Sequence, residues 1–158
     1  VILHALTSVR GFEWKVADIV AELAKKVNAV EIVCIEGIGG ASGANNAYYL
    51  SSINPKKLKA KTGIEKLSEG IVMGVTGAMI LKRKLPVTCI FAETQSNLPD
   101  SRAAAKIVEV LDKYLGLKID PKPLIKKAEQ FEEKIKGLIE RNKEASVQKE
   151  KRDLSYLG

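Results

Sequence analysis

The strongest constraint on the fold is the order in which apolar segments of two periodicities alternate along the chain. Val1–Thr7 is apolar, which predicts a buried strand. Phe12–Asn28 places its apolar residues three and four apart, which predicts an amphipathic helix. Ala29–Glu36 is almost continuously apolar and rich in β-branched residues, as expected for a strand covered on both faces. This order predicts a βαβ unit, and therefore a parallel pair of strands with a right-handed crossover.

The rest of the chain to Asp120 continues the alternation of strands and helices. A strand is predicted at Ala47–Ser52, a Lys-rich helix after Asn54–Pro55, and a second buried strand at Val87–Ala92. Three glycines interrupt an apolar stretch before a helix predicted over Ala78–Lys84, and a longer helix follows the capping residue Asp100. The sequence therefore predicts an α/β domain.

The C-terminal segment changes character along its length. A final helix carries apolar residues alternately four and three apart, the spacing of a coiled-coil seam: Leu124, Ala128, Phe131, Ile135 and Leu138. We expect this seam to pair with a second copy of the chain, which would make the protein a homo-oligomer. Residues 140–153 are mostly charged, and Leu154–Gly158 is again apolar and aromatic. We divide the chain into an α/β domain over 1–139 and a charged extension with an apolar tip over 140–158.

Composition excludes several classes of protein. The 158 residues are close to the roughly 150 typical of one domain. Hydrophobic residues make up 46% and charged residues 28%, which disfavours a disordered chain, and no apolar run approaches the roughly 20 residues that a membrane helix needs. Cys34 and Cys89 lie in apolar runs and are expected to be buried free thiols of a cytoplasmic protein. With His4 as the one histidine, we expect no metal site and no histidine-based triad.

A glycine-rich loop and a strand end form one candidate pocket. Gly37–Gly43 follows a strand but lacks the third glycine of a dinucleotide fingerprint and the Gly-Lys-Ser/Thr ending of a P-loop. Glu93 and Thr94 end a buried strand, where open α/β sheets place their ligands. Gly39, Gly40, Glu93 and Thr94 are therefore the candidate pocket, and a tight loop with a polar strand cap is the simpler interpretation.

The chain is basic, with 26 Lys and Arg against 19 Asp and Glu and a net charge of +7. Lys56, Lys57, Lys59 and Lys61 form a cluster that would attract an acidic surface. No aromatic residues or nucleic-acid motifs accompany them, so we interpret the cluster as a solvated face and expect no nucleic-acid partner.

Several motifs in their order resemble the proteasome assembly chaperone family, most of all its archaeal branch, the Pba proteins. The match covers roughly residues 1–139 and includes the Gly39–Gly40 loop, the Gly70–Gly77 turn, the strand end Phe91–Thr94 and the segments Pro99–Ala105 and Val108–Asp120. The resemblance implies a three-layer α/β/α domain around a mixed, largely parallel sheet. Family members carry a further strand-rich stretch before the part seen here, so we expect the N-terminal part of the family domain to be missing.

The resemblance also implies a function without catalysis and without a cofactor. Family members form oligomers, and the archaeal ones bind the 20S proteasome. Proteasome activators typically end in a hydrophobic residue, a tyrosine and any residue, with the terminal carboxylate in a pocket between α subunits. Leu154, Ser155, Tyr156, Leu157 and Gly158 resemble that motif with tyrosine third from the end. We therefore expect an adaptor that assists assembly of the 20S proteasome or activates it by docking these tails on the α-subunit ring. The alternative is a small-molecule or nucleotide-binding protein or enzyme that uses Gly37–Gly43 and Glu93.

Overall fold

The computed structural model describes residues 1–39, 45–94 and 100–120, together with 122–123, 125–126, 129–131, 133–139 and 141. Helices and strands alternate along the chain as follows: α1 Glu13–Lys26, β1 Ile32–Gly39, β2 Ala47–Ser51, α2 Pro55–Thr62, β3 Glu65–Lys66, α3 Gly74–Lys82, β4 Val87–Thr94 and α4 Ser101–Leu115. The backbone is also helical at every described residue from 122 to 141.

The described strands form one mixed sheet in the order β1-β4-β2-β3. β1 and β4 are parallel, with Ile32 opposite Val87 and Gly39 opposite Thr94. β2 is antiparallel to β4 and parallel to β3. Two of the three pairings are parallel, so the predicted mixed and largely parallel sheet is confirmed.

Helices cover both faces of the sheet, which makes the domain three-layered as predicted. One core cluster joins the sheet to α2 and α4 and includes Leu58, Val110 and Ile90. The other joins the sheet to α1 and α3, with Ala17 and Met79 in the cluster of Phe91. β4 supplies residues to both clusters because successive side chains of a strand point to opposite faces. Burial of its apolar side chains on both sides explains the continuous apolar run that predicted it.

Local sequence signals explain where the elements begin and end. Asp100 caps α4 as predicted, since its Oδ1 accepts hydrogen bonds from the backbone N–H groups of Arg102 and Ala103 at 3.1 and 2.9 Å. Pro55 opens α2, where its missing N–H costs no helical hydrogen bond. α3 begins at Gly74, four residues before the predicted start, and Gly77 lies inside it.

The N-terminal prediction is wrong. Residues 1–7 form no strand, and the side chains of Val1, Ile2 and Leu6 are almost fully exposed. Apolar sequence alone does not make a strand, because a strand also needs a neighbour with which to form hydrogen bonds. His4, expected in a buried strand, is exposed as well. β1 begins at Ile32 rather than at the predicted Ala29. It includes Gly37–Gly39, for which the sequence predicts a loop.

Candidate functional sites

The carboxyl ends of the two parallel strands meet at one edge of the sheet. Gly39 lies opposite Thr94, and Ile38 lies opposite Glu93. Gly37 is required by this close approach, since a Cβ at that position would lie 2.9 Å from Cγ2 of Thr94. Three of the four candidate pocket residues are thus brought together, and the fourth, Gly40, lies outside the described residues.

Glu93 is held by hydrogen bonds from the first residues of the neighbouring chain segment. Tyr48 donates its hydroxyl to Oε1 of Glu93 at 3.0 Å, and Asn46 donates its side-chain amide to Oε2 at 3.3 Å. The hydrogen bond to Glu93 raises the pKa of Tyr48, because the carboxylate stabilises the protonated hydroxyl and repels the phenolate. Thr94 donates its hydroxyl to the carbonyl oxygen of Ile38 at 3.3 Å. These contacts tie β1, β2 and β4 together, which favours the interpretation of a polar strand cap.

Glu36 is a second carboxylate near this edge that the sequence did not single out. It lies on β1 between Cys34 and Ile38, which both pack against the α1–α3 cluster, so it faces the same side of the sheet. One of its carboxylate oxygens is buried and has no hydrogen-bond partner. Within the described part of the chain, no three His, Cys, Asp or Glu side chains come together as metal ligands.

The structure describes the side chains of three of the five residues of the C-terminal seam. Phe131 and Leu138 are each 59% exposed, and Ile135 is half-buried. Leu124 and Ala128 lie outside the residues whose side chains are described. Among the described residues, Phe131 and Leu138 therefore present apolar surface.

The basic cluster on α2 is largely solvated, as predicted. Lys56 and Lys57 are exposed. Lys59 pairs with Glu65 at 2.6 Å, and Lys61 donates to the backbone carbonyl of Tyr114 at 3.0 Å. The sequence could not show that two of the four cluster lysines have partners.

The two cysteines are brought side by side, although 54 residues separate them in sequence. Cys34 on β1 lies directly opposite Cys89 on β4, and both side chains face the α1–α3 cluster. Both are free thiols, with Cys89 buried and Cys34 half-buried. The proximity of the two thiols lowers the pKa of Cys34 and, together with burial, raises that of Cys89. The predicted burial holds for Cys89, whereas the pairing of the two thiols was missed.

Comparison with known proteins assigns the family. The sequence profile of the PAC2 family matches residues 1–139. The chain belongs to the PAC2 family. This membership and the likeness to Pba structures confirm the resemblance drawn from the Gly70–Gly77 turn and the segments around it. The α/β layers around a mixed sheet match the fold of a similar solved structure.

Two solved structures from Pyrococcus furiosus are similar to this chain. PbaA, described as an archaeal homolog of proteasome-assembly chaperone, is 30% identical with a TM-score of 0.71, over 88% of this chain and 66% of that one. PbaB, described as an archaeal proteasome activator, is 18% identical with a TM-score of 0.67, over 86% of this chain and 62% of that one. At 18% identity the likeness to PbaB shows the fold alone.

A curated relative is an uncharacterized protein of Methanocaldococcus jannaschii. It is 30% identical over 110 residues, which is 66% of this chain and 46% of that protein. This PAC2 chain therefore spans about half the length of that relative and about two thirds of PbaA. Across the part of the chain that the structure describes, no helix has the length and apolar character needed to cross a bilayer.

Proposed function

We propose that this chain acts as a non-enzymatic, cytoplasmic adaptor that binds the 20S proteasome and assists its assembly or activates it. The observation that carries the proposal is membership of the PAC2 family together with 30% identity to PbaA over 88% of the chain. PbaA is an archaeal homolog of proteasome-assembly chaperone, which supports the proteasome as the partner. An exposed apolar helix face and a surface rich in lysine support a role in protein–protein contact.

The alternative of a small-molecule site at Gly37–Gly43 and Glu93 has weaker support. The carboxylate of Glu93 already accepts hydrogen bonds from Tyr48 and Asn46, so it acts as part of the sheet edge. A thermal-shift series with nucleosides and nucleotides separates the two functions. A ligand present at 100 times its dissociation constant would add about 2.7 kcal/mol of stability. We expect no shift; stabilisation by any nucleotide that is lost in Glu93→Gln would favour the alternative.

Docking on the α-subunit ring is proposed to use Leu154–Gly158, which lies outside the described residues. Tyr156 offers an apolar ring with a hydroxyl that can find a partner, and Leu154 and Leu157 add apolar area. The mostly charged residues 140–153 lose conformational entropy if binding orders them, so a single tail is expected to bind weakly. Several tails on one oligomer would act at roughly millimolar effective concentration and gain ~10²–10⁴ in avidity where the spacing fits.

Self-association is proposed to use the C-terminal helix. Phe131 and Leu138 expose most of their apolar surface in a single chain, and pairing with a second copy would cover both side chains. Burial of apolar area stabilises an interface by about 25 cal/mol per Å² before the costs of association. Light scattering at micromolar concentration tests this step, and a strict monomer would contradict it.

A pull-down with purified archaeal 20S proteasome tests tail docking. Tyr156→Ala and deletion of residues 154–158 are expected to abolish capture while leaving the oligomer and the melting temperature unchanged. Ser155→Ala is the matched control, because it alters the same tail without removing a large apolar side chain, and it should bind like the original chain. Unchanged capture of the truncated chain would place docking on the α/β domain instead.

A further inference from the structure

The two thiols of Cys34 and Cys89 are placed together by the pairing of β1 with β4. Directly opposed positions of neighbouring strands lie about 4.8 Å apart, and both side chains leave the sheet on the side of α1 and α3. This separation is within the roughly 4.4–6.8 Å between Cα atoms that a disulfide spans. Both cysteines are free thiols in this structure.

We propose that Cys34 and Cys89 form a reversible oxidation site, at which peroxide converts the thiol pair into a disulfide across the β1–β4 pairing. This inference is independent of the proposed proteasome partner. It rests on the strand register and on the shared face of the sheet.

The two thiols differ in accessibility, which assigns a role to each. Cys34 is half-buried on β1, whereas Cys89 is buried on β4 between two neighbouring strands. The adjacent thiol of Cys89 lowers the pKa of Cys34, which adds to its greater accessibility and makes Cys34 the better nucleophile. The adjacent thiol of Cys34, together with burial, raises the pKa of Cys89, which therefore keeps its proton until the second step.

The chemistry balances with hydrogen peroxide as the only oxidant. The Cys34 thiolate attacks one peroxide oxygen, the O–O bond breaks, and a sulfenic acid and hydroxide form. The sulfur of Cys89 then attacks the sulfenic sulfur, the S–O bond breaks, and its thiol proton leaves with the hydroxyl as water. In total two thiols and one peroxide give one disulfide and two waters.

The position in the sheet makes this disulfide easy to reduce. Side chains on adjacent parallel strands leave the sheet side by side, so their Cβ atoms start about 5 Å apart, whereas a disulfide prefers about 3.8 Å. Closing the bond must draw β1 and β4 together locally, and strained disulfides have more oxidising potentials. We therefore expect the bond to form under peroxide and to reopen with a dithiol.

Peptide mapping under non-reducing conditions tests the proposal on the intact chain. Trypsin cuts after Lys26 and Lys56 and after Lys84 and Arg102, which places the two cysteines on different peptides. After treatment with hydrogen peroxide, we expect a disulfide to join the peptides 27–56 and 85–102. The intact chain should be lighter by two hydrogen atoms and should form no covalent dimer. Dithiothreitol should reverse the change fully. Linked peptides that derive from two chains, or thiols that stay titratable, would overturn the site.

Two single variants assign the order of steps. Cys89→Ala should leave Cys34 as a sulfenic acid that dimedone traps, since its resolving partner is gone. Cys34→Ala should leave Cys89 unmodified, because that thiol is buried. Equal reactivity of both single variants would contradict the roles assigned here. Circular dichroism of each variant confirms that the comparison is made on folded protein.

Discussion

Gly77 offers a sharp test of the turn that leads into α3. A Cβ built on Gly77 would lie 2.8 Å from the backbone carbonyl oxygen of Val72. Replacing a helical glycine by alanine ordinarily stabilises a protein by up to about 1 kcal/mol. Here the added methyl group meets backbone, which cannot rotate away, and overpacking of this kind costs about 1–3 kcal/mol. We expect Gly77→Ala to destabilise the domain by about 1–2 kcal/mol, against the sign given by helix propensity.

The assay is thermal unfolding of Gly77→Ala beside Gly137→Ala. Gly137 is also helical but has nothing within 4 Å of an added Cβ, so the same substitution there meets open space. For a chain of this size about 1 kcal/mol moves the melting temperature by about 2–4 °C. Gly77→Ala should therefore melt roughly 2–8 °C lower, and Gly137→Ala should melt no lower than the original chain. An unchanged or higher melting temperature for Gly77→Ala would refute the close approach of Val72.

Substitutions of Phe131, Asp100 and Tyr114 test the C-terminal helix, the cap of α4 and the hydrogen bond to Glu31. Phe131→Ala should leave the unfolding of the α/β domain almost unchanged because the ring is 59% exposed, while light scattering should show a smaller oligomer; a loss of several kcal/mol would instead indicate a buried ring. Asp100→Ala should cost about 1 kcal/mol in chemical denaturation by removing the cap of α4, and Asp100→Asn should restore most of it. Burial and the hydrogen bond to Glu31 raise the pKa of Tyr114. The stabilising effect of Tyr114 is therefore complete below the unfolded pKa of about 10 and is lost as pH rises through the folded pKa. Tyr114→Phe should flatten this alkaline loss of stability, and an unchanged dependence of stability on pH would contradict the argument.

The elements with strong local signals were predictable from the sequence. The continuous apolar run of β4 fixed its position because both faces of a central strand are buried. The start of α4 followed from the cap at Asp100, and the helix ends at Gly116, whose left-handed backbone favours glycine. The family resemblance, carried by the order of several weak motifs, gave the three-layer arrangement.

Long-range pairing was not predictable from local pattern. The contact between Cys34 and Cys89 depends on β1 pairing with β4, which enters the sheet after two intervening strands. The strand predicted at Val1–Thr7 failed for the same reason, since its apolar residues say nothing about which strand is available to pair with it. The glycine-rich composition of Gly37–Gly39 predicts a loop, whereas Gly37 fits a strand there because a Cβ at that position would lie 2.9 Å from Cγ2 of Thr94 on β4.

Interferometry on immobilised archaeal 20S particles measures the proposed binding to the proteasome. The original chain is applied at increasing concentration, with a bovine serum albumin surface as the control. We expect saturable binding to the 20S surface that disappears when residues 154–158 are deleted. No binding of the intact chain at concentrations where light scattering shows the oligomer would contradict the proposed function.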